Sequence, residues 1–172
     1  MKATFKDILS HDLLPIDVFN YIIPTSPEQS ETLKAYCQHH EHFLFIDVAD
    51  VVVDYPKFYF SECKSLYFKI ANALRGFPLR RQTYTNVRYL HQIEYGLYRR
   101  KQSVIVIWNA HLLQTRVLET LMADAKYLEQ KSTKLELHQN GSIVYREEYR
   151  VHFLIVGNEL TELRLQLACQ NF

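Results

Sequence analysis

Short blocks of consecutive apolar residues alternate along this chain with longer stretches whose apolar positions recur every three or four residues. The first kind reads as strand buried on both faces and the second as amphipathic helix. Strands are expected at residues 18–23, 43–48, 104–107 and 150–158. Helices are expected at 27–40, 59–74, 86–101, 114–130 and 159–169, with 49–58 a loop broken by Pro56. Ser26-Pro27-Glu28-Gln29 is a helix start, with Ser26 as N-cap, Pro27 at the first helical position and Gln29 three residues after the cap. Gly76 and Pro78 mark a helix end. Residues 134–146 alternate around Asn140-Gly141, a strong short-range signal for a β-hairpin. Residues 1–15 form an arm or short helix. No linker or repeat divides the chain, so residues 1–172 make one domain. Strands alternating with helices predict an α/β fold: a three-layer sandwich with a mostly parallel central sheet and a hairpin insertion before the last core strand.

The run Val104-Ile105-Val106-Ile107 is the most uniformly apolar and marks a central strand. Ligands of open α/β sheets bind at the carboxyl ends of such strands. Chemistry, if present, is therefore expected to begin at Trp108.

Composition narrows the choice. A 172-residue chain that is 48% hydrophobic can build a real core. A net charge of +1 imposes no global field toward nucleic acid or an acidic membrane. Only 4 glycines occur, which argues against a glycine-rich phosphate loop. Cys37, Cys63 and Cys169 are scattered without CxxC spacing, which fits reduced thiols in a cytoplasmic protein. No apolar run approaches the length of a membrane span.

Three stretches carry a resemblance to AAA-type P-loop ATPases, and within them to the ExeA/GspA and TniB group. Val104 through Leu113, followed by Val117-Leu118-Glu119-Thr120-Leu121, resembles the Walker B strand and its following helix. Phe153-Leu154-Ile155-Val156-Gly157-Asn158-Glu159-Leu160 resembles the sensor-1 strand and its sequel. Residues 21–36 stand where the P-loop and its helix stand in that group. The resemblance implies a P-loop-NTPase-like fold over residues 18–172, without the fifth core strand or the helical lid of a full AAA module. It also implies an assembly of the secretion, conjugation or transposition type, from bacteria or mobile elements, with a related ATPase as partner.

The working residues depart from that pattern. A P-loop needs glycines so that backbone N–H groups wrap phosphate, and a Lys that reaches the β/γ-phosphates. Here the Lys position is Gln29 and the second Gly position is Glu28. Only Ser30 keeps its type. An anion at Glu28, about 4 Å from a phosphate, would cost roughly 4 kcal/mol at an effective dielectric near 20. The two acidic Walker B positions are Trp108 and Asn109, neither able to hold Mg²⁺ as an anion or accept a proton near neutral pH. Asn158 keeps a sensor-1 type. Trp108 is expected to plug the vacated cleft. Gln29, Ser30, Trp108, Asn109 and Asn158 thus mark a degenerate nucleotide site, with no catalytic residue, cofactor or metal expected.

Other signals have bland readings beside them. His39-His40-Glu41-His42 lacks the i,i+4 spacing of a helical zinc pair, so a solvated helix terminus is expected. Asp47, Asp50 and Asp54 could form a carboxylate cluster, but aspartates in loops usually cap or turn. Arg80, Arg81, Arg99, Arg100 and Lys101, with Asn140 on the hairpin, are candidate contacts to nucleic acid or a protein partner. The expected function is a non-catalytic interaction or scaffolding subunit. The alternatives are a nucleic-acid-binding accessory factor and a divergent ATPase.

Overall fold

The computed structural model describes residues 2–4, 6, 8, 18–54, 62–75, 85–100, 102–137 and 143–169. Its elements run β1 (Phe19–Ile22), α1 (Pro27–His39), β2 (Phe43–Asp47), α2 (Val48–Asp54), α3 (Glu62–Arg75), α4 (Asn86–Arg100) and β3 (Gln102–Trp108). A 3-10 turn (Ala110–Leu112), α5 (Thr115–Ser132), β4 (Thr133–Leu137), β5 (Ile143–Glu147), β6 (Arg150–Val156) and α6 (Glu159–Cys169) follow. The main sheet has the order β1-β6-β3-β2, every pair parallel. β4 and β5 form a separate antiparallel pair just before β6. Their Asn140-Gly141 connection lies outside the described residues.

Side-chain alternation sorts the core into two layers, as a period of two requires. Val104, Val106 and Trp108 of β3 and Leu154 and Val156 of β6 share one buried cluster with Leu33 and Cys37 of α1. Ile105, Ile107, Phe153 and Ile155 belong to the other, with Leu66 and Ile70 of α3, Ile93 and Leu97 of α4, and Leu118 and Leu121 of α5. One helix therefore covers one face, and the remaining helices cover the other. The chain is an α/β sandwich around a parallel sheet.

The reason is topological. From β1 the chain crosses to the far edge of the sheet, and from β2 it steps back through β3 to β6. Right-handed crossovers in opposite directions place their helices on opposite faces. The outgoing loops of β1 and β3 thus diverge, which puts the switch point of the sheet among the ends of β1, β6 and β3.

Several boundaries differ from the sequence expectation, and two have a clear local cause. The expected loop at 49–58 begins as helix α2. Its first turn is started by Asp47, whose Oδ1 accepts the Ala49 N–H at 2.9 Å, while Val48 and Val51 turn inward. The β-branched run 51–53 and Pro56 hid that helix. The strand expected to Asn158 ends at Val156, because Gly157 and Asn158 make the turn into α6.

Close helix packing depends on Gly96. A Cβ there would lie 2.6 Å from the Leu74 Cβ, so only glycine lets α3 and α4 approach this closely. At the N-terminus, Lys2 bridges Tyr21 in parallel, and the Ala3 N–H donates to the Tyr21 carbonyl at 2.7 Å. Lys2 and Ala3 thus lie along the outer edge of β1.

Candidate functional site

The carboxyl ends of the four parallel strands bring together Asp47, Trp108-Asn109, Gly157-Asn158 and the loop from Ile23 to Ser26. Four of the five expected site residues in this region have side chains engaged by the fold itself.

Gln29 sits in the first turn of α1. Ser26 caps that helix, its Oγ accepting the Gln29 N–H at 3.2 Å. The Gln29 side chain reaches back, and its Oε1 accepts the Thr25 N–H at 2.8 Å and the Thr25 hydroxyl at 3.0 Å. This is a reciprocal capping arrangement shifted by one residue. The oxygen at the lysine position of the resembled loop is thus turned to the backbone. Ser30 lies one residue on, half-buried, its N–H bonded to the Ser26 carbonyl at 3.0 Å.

Trp108 is only 6% exposed and belongs to the cluster beneath α1, its ring 5.6 Å from that of Phe45. Strand alternation explains this: position 108 points to the same face as Val104 and Val106. Asn109 follows in the left-handed region, φ 58° and ψ 36°. It is the one non-glycine residue with positive φ among those described. Its Nδ2 donates to Asp47 Oδ1 at 2.8 Å, the same oxygen that starts α2. The polar step after the central strand is a tie between β3 and β2.

Asn158 caps α6. Its Oδ1 accepts the N–H groups of Leu160 at 3.1 Å and Thr161 at 3.3 Å. Gly157 is needed beside it, because a Cβ there would sit 2.0 Å from Thr161 Oγ1. Sequence inspection missed Arg164, one turn further on. Its Nη1 donates to the His111 carbonyl at 2.7 Å and to the Leu113 carbonyl, clamping the turn after β3 onto α6. The signal available was a cation three residues after Thr161 in a leucine-rich helix, which is too common to single out.

Two of the candidate cations, Arg99 and Arg100, lie among the described residues. Arg100 donates to the carbonyls of Ala73 at 3.1 Å and Leu74 at 3.3 Å, closing the end of α3. Arg99 is exposed at the end of α4. Arg80, Arg81, Lys101 and Asn140 lie outside the described residues.

Among the described residues, no group of three or more His, Cys, Asp or Glu is placed to hold a metal ion. The His39 ring is bonded to the Ala35 carbonyl at 2.7 Å, and His42 approaches Glu41 at 3.2 Å. Asp47 is committed as described, and Asp50 is exposed in the first turn of α2. The side chain of Asp54 lies outside the described residues. Burial pushes the Cys37 thiol up to about 12 and the Cys63 thiol up to about 11, so neither is a ready nucleophile. No described helix is long and apolar enough to cross a membrane.

No protein-family model, curated protein or solved structure matches this chain.

Proposed function

We propose that this chain is an AAA-like, P-loop-NTPase-like domain whose nucleotide site has degenerated, and that it works as an interaction or scaffolding subunit of a larger assembly. One observation carries the proposal. At four of the five positions where the resembled ATPases place their nucleotide machinery, the side chain holds this fold together. Gln29 closes a helix cap, Asn109 ties β3 to β2, Asn158 caps α6 and Trp108 fills the core. Turning one of these side chains away from its present partners breaks those bonds, at about 0.5–1.5 kcal/mol for each bond. No lysine or acidic pair stands at these positions to return that cost. A fold of this type without its chemistry retains surfaces for assembly. The resemblance points to a secretion, conjugation or transposition assembly, with a related ATPase as the partner.

Equilibrium dialysis with labelled ATP and Mg²⁺, run beside a phosphate-release assay on the full chain, tests the catalytic half. No binding and no turnover above a denatured control is expected. Mg²⁺-dependent turnover that falls on Ser30→Ala would overturn it in favour of a divergent ATPase.

A further inference from the structure

Charge is spread unevenly along this chain. Nine of its 20 Lys and Arg fall between residues 63 and 101, but only Glu94 of its 19 Asp and Glu does. That stretch is net +8 and the rest of the chain net −7, which the total of +1 conceals. It holds α3 and α4. Counted along α4 at about 100° per residue, Arg88, Tyr95 and Arg99 fall within about 40° of arc, on a stripe about 16 Å long. All three are exposed. Tyr95, at 54%, is the one aromatic among the large apolar side chains left exposed in the described residues. The close approach of α3 and α4 at Leu74 and Gly96 sets Arg75 beside it, the guanidinium 5.9 Å from the ring centre. The one acid lies off the stripe: the Glu94 side chain is 16% exposed, its carboxylate 3.6 Å from His91 Nδ1.

We infer that this face of α4 binds single-stranded nucleic acid, with backbone phosphates on Arg88 and Arg99 and a base stacked on Tyr95 between them. A stripe of cations with no exposed acid is complementary to a polyanion. The charges on it are guanidinium groups, whose planar fork matches phosphate oxygens. Arg75 adds a third positive charge beside the ring. The half-exposed ring narrows the choice further. It offers a π-face to a base, and a single strand presents unstacked bases where a duplex keeps them stacked inside. An acidic membrane surface would need apolar side chains to bury beside the cations. The exposed apolar neighbour on this helix, Val87, lies about 100° round from Arg88. This inference is independent of the nucleotide site: failure to bind a strand would leave that proposal standing, and ATP binding would leave this one standing.

Fluorescence anisotropy of the full chain with a labelled oligodeoxythymidylate of about 16 nucleotides is the test. Saturable binding is expected, weakening at least about sevenfold between about 50 and about 200 mM salt for two phosphate contacts. Arg88→Gln and Arg99→Gln should each weaken binding and flatten the salt dependence by about 0.7 in log–log slope. Tyr95→Ala should weaken it about fivefold or more with the slope unchanged, and Tyr95→Phe should bind like the parent, since the ring does the stacking. The three positions are on the surface, so the circular dichroism of every variant should match the parent. No binding at about 50 mM salt, or binding untouched by Arg88→Gln and Arg99→Gln, overturns the surface. Binding indifferent to Tyr95→Ala, or a duplex, heparin or phosphatidylserine vesicles bound more tightly than the strand, overturns single-stranded nucleic acid as its occupant.

Discussion

The Asn109 side-chain amide donates to Asp47 Oδ1 at 2.8 Å, across the ends of two adjacent parallel strands. Position 109 is where the resembled ATPases carry an acid. Placing an acid there by Asn109→Asp would set a second carboxylate against Asp47 and remove the donor. The variant should lose about 1–3 kcal/mol at neutral pH. Repulsion raises a carboxyl pKa in the folded state. The stability tied to that proton is therefore present below the unfolded pKa and lost as pH rises through the folded one. Urea midpoints should show the deficit shrinking as pH falls into the carboxylate range; a pH-independent deficit would deny the pair.

Gly157 and Thr161 stand in a relation no larger residue can keep. A Cβ at 157 would meet Thr161 Oγ1 at 2.0 Å and its Cβ at 2.7 Å. Gly157→Ala should cost about 1–3 kcal/mol through forced displacement of the α6 start. Adding Thr161→Ala should recover part of the loss by removing the hydroxyl. Chemical denaturation of the single and double variants measures this coupling, and strict additivity would show that the contact is not the cause.

Tyr67 donates its hydroxyl to Asp124 across the α3–α5 contact. Burial raises the Asp124 pKa, and the Tyr67 hydrogen bond partly counters it. Burial also pushes Tyr67 up, so the phenol keeps its proton. With a raised folded pKa, the stability contributed by Asp124 is present below its unfolded pKa and lost as pH rises through the folded one. Tyr67→Phe takes away the counterweight, so it should cost about 1–2 kcal/mol near pH 7 and less near pH 4. Asp124→Asn should flatten this dependence. Thermal unfolding across that range reads both.

The N-terminal arm responds in the opposite sense. Hydrogen bonds from Lys2 and Tyr21 hold the Glu162 carboxyl below its ordinary value. A lowered folded pKa gives stability that is present above the unfolded pKa and lost as pH falls through the folded one. Hydrogen exchange at Ala3, whose N–H is bonded to Tyr21, should therefore speed up relative to the β6 amides on acidification. Glu162→Gln should show the faster exchange already at neutral pH.

Much of this architecture could be read from periodicity. The four apolar runs became the four strands of one parallel sheet, and Ser26, Pro27 and Gln29 started α1 as their spacing predicts. Local chemistry was enough for these. What escaped depends on residues far apart in sequence. The Tyr67–Asp124 pair spans 57 positions, and Arg164 reaches back 53 to His111. Neither leaves a local pattern. Helix α2 escaped because valines favour strands in isolation, whereas here Val48 and Val51 pack inward one turn apart. At the site, residue types were legible but their engagement was not. Asn109 looked like a lost acid, and only the fold shows it tied to Asp47.

The proposal that the nucleotide site has degenerated is tested most directly by the Tm of the full chain with and without millimolar ATP and Mg²⁺, beside a titration of the single Trp108 fluorescence. A ligand at about a hundred times its Kd would add roughly 2.7 kcal/mol to stability, a shift of several degrees. The account predicts no shift and no change in the emission of the buried Trp108. A Mg²⁺-dependent rise in Tm, with a matching change in Trp108 fluorescence, would contradict it.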